Sequence, residues 1–413
     1  MKYIVILGDG MSDYPFPPLG NKTPLDLAKK PTIDYMASKG ILGTAKTVPE
    51  GMPPGSDTAN LSVMGYSPKI YYSGRSPLEA ASIGVDLAES DVTFRCNFIT
   101  LAGEGDYENK TIIDHSSDEI TTEEASVLLD HLRTELFNKE KNGKDFDLDF
   151  YVGTSYRHLL VWHDGPFDWQ MTPPHDILEK KTGEYLPKGS KSSFFIDIMK
   201  KSYELMSVHP INIARVSRGL KPANSMWIWG EGKKPLLSSF PEKYGINGSV
   251  ISAVDLIKGL GICAGLDSIS VEGATGNMHT NFEGKAAAAF KALKDGNDFI
   301  YVHVEAPDEC GHRNEAENKV LSIEYLSERV VKPLKEALDA DGMEYRMLIM
   351  PDHATPLELR THTSDPVPFL IYQNTNEKPL KNQKYNESDA IEANFHIEDG
   401  WTLMDYFIKN SKI

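Results

Sequence analysis

Cysteine is scarce in this chain. The 413 residues hold three, Cys96, Cys263 and Cys310, far apart and without a Cys-x-x-Cys pair. That excludes a disulfide framework and a thiolate metal site, and fits a reducing, cytoplasmic compartment. Long apolar runs are also missing: none nears the ~18 residues of a membrane span. Met1-Lys2-Tyr3-Ile4-Val5 begins a strand rather than a signal peptide. Positive charge is in deficit, with 43 Lys and Arg against 60 Asp and Glu and a net charge of −17. Such a surface repels nucleic acid and anionic lipid, so neither is an expected partner. No Gly-x-x-x-x-Gly-Lys-Ser/Thr loop occurs, and no Gly-x-Gly-x-x-Gly follows a strand, so neither common nucleotide cradle is available. Internal repeats and low-complexity segments are absent too.

What remains is an ordinary globular composition, 40% hydrophobic and 25% charged. The length suits two to three domains at ~150 residues each. Lys2 to Leu7 is an apolar run stopped by Gly8-Asp9-Gly10, the mark of a strand buried on both faces. Pro31 to Lys39 follows as a helix stopped by Gly40. The same grammar returns late in the chain. Strands are expected at 247–250, 299–304, 346–350 and 367–372, with helices at 253–259 and 317–338, the latter broken at Pro333. Alternating strands and helices at both ends predict an α/β fold with one doubly wound, mostly parallel sheet.

The middle is less regular. It has an acidic helix at 121–139, a polar stretch at 138–149, strands at 150–153 and 158–162, and a Pro-rich loop at 166–174. Residues 88–237 therefore read as an inserted α+β domain. The core domain is then discontinuous, 1–87 and 238–413.

Ligands in open α/β sheets bind beyond the carboxyl ends of the strands. Asp9 follows the first strand. Asp308 and His312 follow the strand at 299–304. Asp352 and His353 follow the strand at 346–350, with His362 nine residues further on. Alone, Asp9 reads as a helix N-cap, and Asp308 with His312 as a solvated pair on one helix face. Three Asp and three His at one end of one sheet together indicate a divalent-metal site, since carboxylate and imidazole suit Mn²⁺, Zn²⁺, Co²⁺ or Mg²⁺. Ser56, in Pro54-Gly55-Ser56-Asp57-Thr58, sits at the N-terminus of a helix over 57–64. As structure it is an N-cap. As chemistry, the helix dipole favours an incoming phosphate there, and a nearby metal would activate the hydroxyl as a nucleophile. Three aspartates set against two divalent ions leave a small positive surplus, which suits an anionic substrate.

With these residues in view, the chain resembles the alkaline phosphatase superfamily, and within it the archaeal-type cofactor-independent phosphoglycerate mutases. The segments that carry the resemblance are Gly8-Asp9-Gly10, Pro54 to Asn60, Ala306-Pro307-Asp308-Glu309-Cys310-Gly311-His312, Pro351 to Pro356, and His362 before Asp365-Pro366-Val367-Pro368. It extends to Tyr72 to Ala80 and to Arg215 with Pro222-Ala223-Asn224, and so covers nearly the whole length. The resemblance implies an alkaline-phosphatase-type sheet and two divalent ions, with Mn²⁺ foremost. One ion would be held by Asp308, His312 and His362, the other by Asp9, Ser56, Asp352 and His353. Ser56 would carry the phosphoryl group between two hydroxyls of a small phosphorylated glycerate, with no need for 2,3-bisphosphoglycerate.

Such a substrate needs cationic partners, and arginine offers planar, bidentate forks. The candidates are Arg157, Arg215, Arg218 and Arg75, with His158 beside Arg157. Arg95 is a fifth member of the set, with a surface salt bridge as its favoured reading; Lys285 and Lys319 read as solvated helix charges. The stretch Val48 to Ser56 also resembles relatives proposed as homoserine kinases, which makes phosphorylation of homoserine the main alternative. A metal phosphohydrolase and a metal-stabilised binding module are the remaining readings. Nothing in the sequence specifies the oligomeric state.

Overall fold

The structure, a computed structural model, describes residues 1–137 and 147–410. Most of the polar stretch at 138–149 lies outside the described residues. The described strands begin with β1 (Lys2–Gly8), β2 (Ile41–Ala45), β3 (Val92–Ala102), β4 (Thr111–Asp114), β5 (Leu148–Tyr151), β6 (Arg157–Trp162) and β7 (Ser225–Lys233). They continue with β8 (Gly248–Ile251), β9 (Asp267–Ile269), β10 (Phe299–Val304), β11 (Tyr345–Met350), β12 (Val367–Gln373) and β13 (His396–Ile397). Two compact units result. One comprises Met1–Tyr72 with Leu236–Ile413, the other Ser73–Pro235. Residues 73–87 go with the second unit, where Ser76 Oγ meets Thr93 Oγ1 at 2.8 Å.

The first unit is built on a sheet ordered β13-β2-β12-β11-β1-β10-β8-β9. Only β12 runs against the rest, antiparallel to both β11 and β2. The sheet is therefore α/β and mostly parallel. The central strands are apolar because both faces are covered: Ile4 to Leu7, Phe299 to Val302 and Tyr345 to Met350 are all buried, the charged Arg346 among them. The helix Pro31–Lys39 forms as expected, with Pro31 in its first turn and Ile33, Met36 and Ala37 facing inward. The long helical stretch after β10 differs from expectation. It does not break at Pro333 but passes from Ala316–Tyr325 through a wider π turn at Leu326–Val331 into Lys332–Ala340. The π turn lies directly before the proline, whose ring cannot fit the preceding α-helical turn.

The second unit is an antiparallel sheet with helices on it. β3 is its axis, paired with β7 along one edge and with β6 and then β4 along the other. Leu128, Leu129 and Leu132 of the helix Thr122–Leu136 and Phe195, Ile198 and Met199 of Ser192–Ser207 share a core with Phe94, Phe98 and Trp227. Among the described residues, no helix is long and apolar enough to cross a membrane.

Candidate active site

Three parallel strands of the first sheet, β1, β10 and β11, deliver polar residues where the apolar run ends. β1 ends in Gly8-Asp9-Gly10. Gly10 has φ +60°, and a Cβ on it would lie 2.5 Å from Thr355 Oγ1 and 2.6 Å from Asp308 Oδ1. Glycine is thus required twice, by its backbone and by the crowding. β10 runs into the helix Ala306–Arg313, where Asp308 and His312 stand one turn apart with 3.2 Å between Oδ2 and Nε2. β11 leads into Asp352-His353, and the following loop returns His362.

These residues form two adjoining groups. In the first, Asp308, His312 and His362 present ligand atoms within 4.8 Å of one another. The two Nε2 atoms of His312 and His362 face each other at 2.9 Å. In the second, Asp9, Asp352 and His353 converge in the same way, all buried. Here His353 Nε2 is 3.5 Å from Asp9 Oδ1, 3.4 Å from Asp352 Oδ2 and 3.2 Å from Ser56 Oγ. The rings of His353 and His362 lie 4.1 Å apart and so join the groups. Ser56 is the first residue of the helix Ser56–Val63, and Gly55 occupies the N-cap position expected for the serine.

Other residues hold this arrangement in place. Asn60 donates to Asp352 Oδ2 at 2.7 Å and to the Ser56 carbonyl at 2.8 Å, while its own Oδ1 accepts from Tyr301 at 2.5 Å. His303 meets Asp9 Oδ2 at 2.9 Å and Ser252 Oγ at 3.1 Å. Sequence reasoning missed Asn60, Tyr301 and His303. For the last two a signal was present: a hydroxyl and an imidazole interrupt an otherwise apolar buried strand.

The electrostatics are unbalanced. Burial drives the Asp9 carboxyl well above its usual range, and Asp352, Asp308 and Glu305 push it the same way. Burial also lowers His353, and holds His303 down at about 3, so both imidazoles are neutral near pH 7. The more open group behaves oppositely: its bond to Asp308 lifts His312 to about 9. Asp308 is held well below the carboxylate range, its contacts with His312 and His362 outweighing burial. Asp9 Oδ1 is buried and accepts no hydrogen bond. An orphaned carboxylate oxygen among carboxylate and imidazole donors is what a divalent cation would satisfy, so the donor set fits such an ion.

The second unit carries a cationic cluster. Arg75 and Arg95 share Glu79, at 3.1 and 3.0 Å. The Arg95 guanidinium lies 4.2 Å over the Trp229 ring, and His175 packs on the same ring at 5.3 Å. His115 sits 6.0 Å from His175 and 5.8 Å from Tyr156, over which Arg157 stacks at 4.8 Å. Burial lowers His175, and Arg95, His115 and Arg75 add to the effect. Of the expected substrate residues, Arg75 and Arg157 belong to this cluster. Arg95 joins them, largely buried rather than a surface salt-bridge residue.

Arg215, Arg218 and His158 are placed differently. Arg215 is 2% exposed and bonds Glu124, the Ser117 carbonyl and the Lys221 carbonyl. Arg218 braces the same Glu124 from the exposed side. His158 is buried against Phe98, and that burial holds it down at about 3. Lys285 and Lys319 are not solvated either, since both are fully buried. Lys285 donates to the His303 carbonyl at 2.7 Å, and burial lowers it to about 8.

The sequence model of the family described as 2,3-bisphosphoglycerate-independent phosphoglycerate mutase matches residues 37–212. A relative of that name from Methanosarcina barkeri is 45% identical over 410 residues, 99% of this chain and 100% of the relative. A protein named as a probable enzyme of the same kind, from Geobacter sulfurreducens, is 47% identical over the same shares of both chains. Among solved structures, a Pyrococcus horikoshii protein aligns at a TM-score of 0.80 with 29% identity, covering 100% of this chain and 98% of that one. The cofactor-independent phosphoglycerate mutase of Thermoplasma acidophilum aligns at 0.63 with 24% identity over 99% of both chains, a likeness of fold.

Proposed function

The chain belongs to the 2,3-bisphosphoglycerate-independent phosphoglycerate mutase family, and from that premise we propose that it interconverts 3-phosphoglycerate and 2-phosphoglycerate by way of a phosphoserine at Ser56. Asp308, His312 and His362 would hold one divalent ion; Asp9, Ser56, Asp352 and His353 would hold a second, Mn²⁺ being the first choice for both. Bound there, such ions supply Lewis acidity that lowers the pKa of the serine hydroxyl and offsets phosphoryl charge.

The protein's own residues do the rest. Ser56 Oγ attacks phosphorus, and the Oγ–P bond forms as the bond to the glycerate oxygen breaks. The second transfer reverses this onto the other hydroxyl. Asn60 holds the Ser56 carbonyl and Asp352 together, which fixes the nucleophile against His353. The N-terminus of the helix Ser56–Val63 favours the transferring anion. Arg75, Arg95 and Arg157, with His115 and His175, would take the glycerate carboxylate and phosphate, because guanidinium groups offer planar, bidentate forks to both. Arg215, Arg218 and His158 act as braces and core of the second unit.

The observation that carries the reading is the convergence of Asp9, Asp308, Asp352, His312, His353 and His362 beside Ser56, with Asp9 Oδ1 buried and accepting no hydrogen bond. Purified protein with Mn²⁺ and 3-phosphoglycerate, coupled through enolase and without added 2,3-bisphosphoglycerate, is expected to turn over. No turnover there, with phosphohomoserine formed from ATP and homoserine, would replace the mutase by the kinase alternative. The names of the relatives give that alternative no support.

A further inference from the structure

Lys319 lies outside both ligand groups, on the helix Ala316–Tyr325, with none of its side chain exposed. A buried ammonium is costly unless its three donors are used. Nζ meets Asp13 Oδ2 at 2.7 Å, the Thr355 carbonyl at 2.8 Å and, more weakly, the Ser12 carbonyl at 3.4 Å. Those acceptors come from two loops. Ser12 and Asp13 follow Asp9, and Thr355 follows Asp352 and His353. Asp13 closes the tie by accepting from the Leu357 amide, 3.2 Å from either oxygen.

The far side of Thr355 faces the ligands. Its hydroxyl donates to Asp308 Oδ1 at 2.5 Å and lies 3.2 Å from His353 Nδ1. A hydroxyl has one proton to donate, and here it points to Asp308. The oxygen must then accept from His353 Nδ1–H, which leaves His353 Nε2 with a free lone pair facing Ser56, Asp9 and Asp352. Thr355 thereby orients one member of each ligand group, and Lys319 fixes the backbone that carries it. We infer that Lys319 is a positioning residue which, through Thr355, holds Asp308 and the metal-binding tautomer of His353 in register and so sets the affinity of both groups for divalent ions. This rests on the two-ion reading above.

The test is calorimetric titration of Mn²⁺ alone into chelator-treated full-length protein, beside thermal melts. Lys319→Met removes the tether to Thr355 together with the ion pair. Asp13→Asn breaks the ion pair but leaves Lys319 on the Thr355 carbonyl. Thr355→Val keeps the shape and the ion pair while removing the hydroxyl. Lys319→Met and Thr355→Val are each expected to weaken Mn²⁺ binding by about 10-fold or more, the usual scale for groups that orient metal ligands. Asp13→Asn should melt lower yet bind within about threefold of wild type, because the tether persists. Wild-type affinity in a folded Lys319→Met or Thr355→Val protein overturns the inference, and so does an equal loss in Asp13→Asn. If Lys319→Met does not fold, Thr355→Val decides. A wild-type protein that binds no Mn²⁺ would instead sink the two-ion reading itself.

Discussion

The two units gather opposite charges. At its strand ends the first unit concentrates Asp9, Asp308 and Asp352, and leaves the buried Asp9 Oδ1 without a hydrogen bond. The second concentrates Arg75, Arg95 and Arg157 with His115 and His175, near the carboxylates of Glu79 and Asp176. Each group suits a ligand of the opposite sign: a cation for the first, an anion for the second. The comparison also separates two kinds of arginine. Arg95 keeps a flank on an aromatic ring, whereas Arg215 is bonded to Glu124 and two carbonyls of its own unit.

The comparison breaks most severely if the serine proves dispensable. Ser56→Ala is expected to reduce turnover in the enolase-coupled assay by at least about 10³-fold with an unchanged melting temperature, since a nucleophile acts all or none. Near-normal activity would remove the covalent step. Next in size is the cation side. His362→Ala should weaken Mn²⁺ binding by about 100-fold in calorimetry, as neutral imidazole is a direct donor, and chelation should abolish activity until Mn²⁺ is restored.

The anion side is expected to show a smaller effect of a different kind. Arg157→Met should lower kcat/KM by about 10- to 100-fold, corresponding to a charge-assisted bond of ~1.5–3 kcal/mol, while Mn²⁺ affinity stays as in wild type. A matching loss of Mn²⁺ affinity would merge two ligand sites that the structure describes separately. Smallest is a pH effect on stability. His158 is held at about 3 by burial, against 6.5 in the unfolded chain. As pH falls below 6.5 the unfolded chain binds the proton first, so stability is full above 6.5 and is lost from there towards 3. Between pH 7 and pH 5 this amounts to about 2 kcal/mol. Denaturant melts of wild type and His158→Phe should diverge across that window; parallel curves would contradict the burial argument.

The same contrast explains what the sequence revealed. Asp9, Asp308, Asp352 and His353 were legible because each follows an apolar run at a parallel strand's end, where topology forces convergence. Arg95 was the least legible of the arginines. It sits inside an eleven-residue strand, and its partners are chosen by pairing: β3 opposes β7 so that Arg95 faces Trp229, and opposes β6 so that Asn97 faces Arg157. Antiparallel register between distant segments leaves no local trace. Arg215 and Arg218 lie on Glu124, outside that cluster, and a guanidinium that braces a turn looks in a string of letters like one that holds a substrate. Lys285 and Lys319 misled. Each occupies a helix position suited to a solvated charge, but its acceptors come from other elements, strand β10 for Lys285 and the loop after β1 for Lys319. The reversed direction of β12 was hidden because an apolar strand reads the same either way.

The left-handed Gly10 has a last consequence. A side chain there would have no room between Asp308 and Thr355, with even the Asp308 Cα 2.9 Å from where a Cβ would stand. Were that codon randomised and cells made to depend on the enzyme for growth, the surviving clones should converge on one amino acid, with alanine, the mildest intruder, lost alongside the rest.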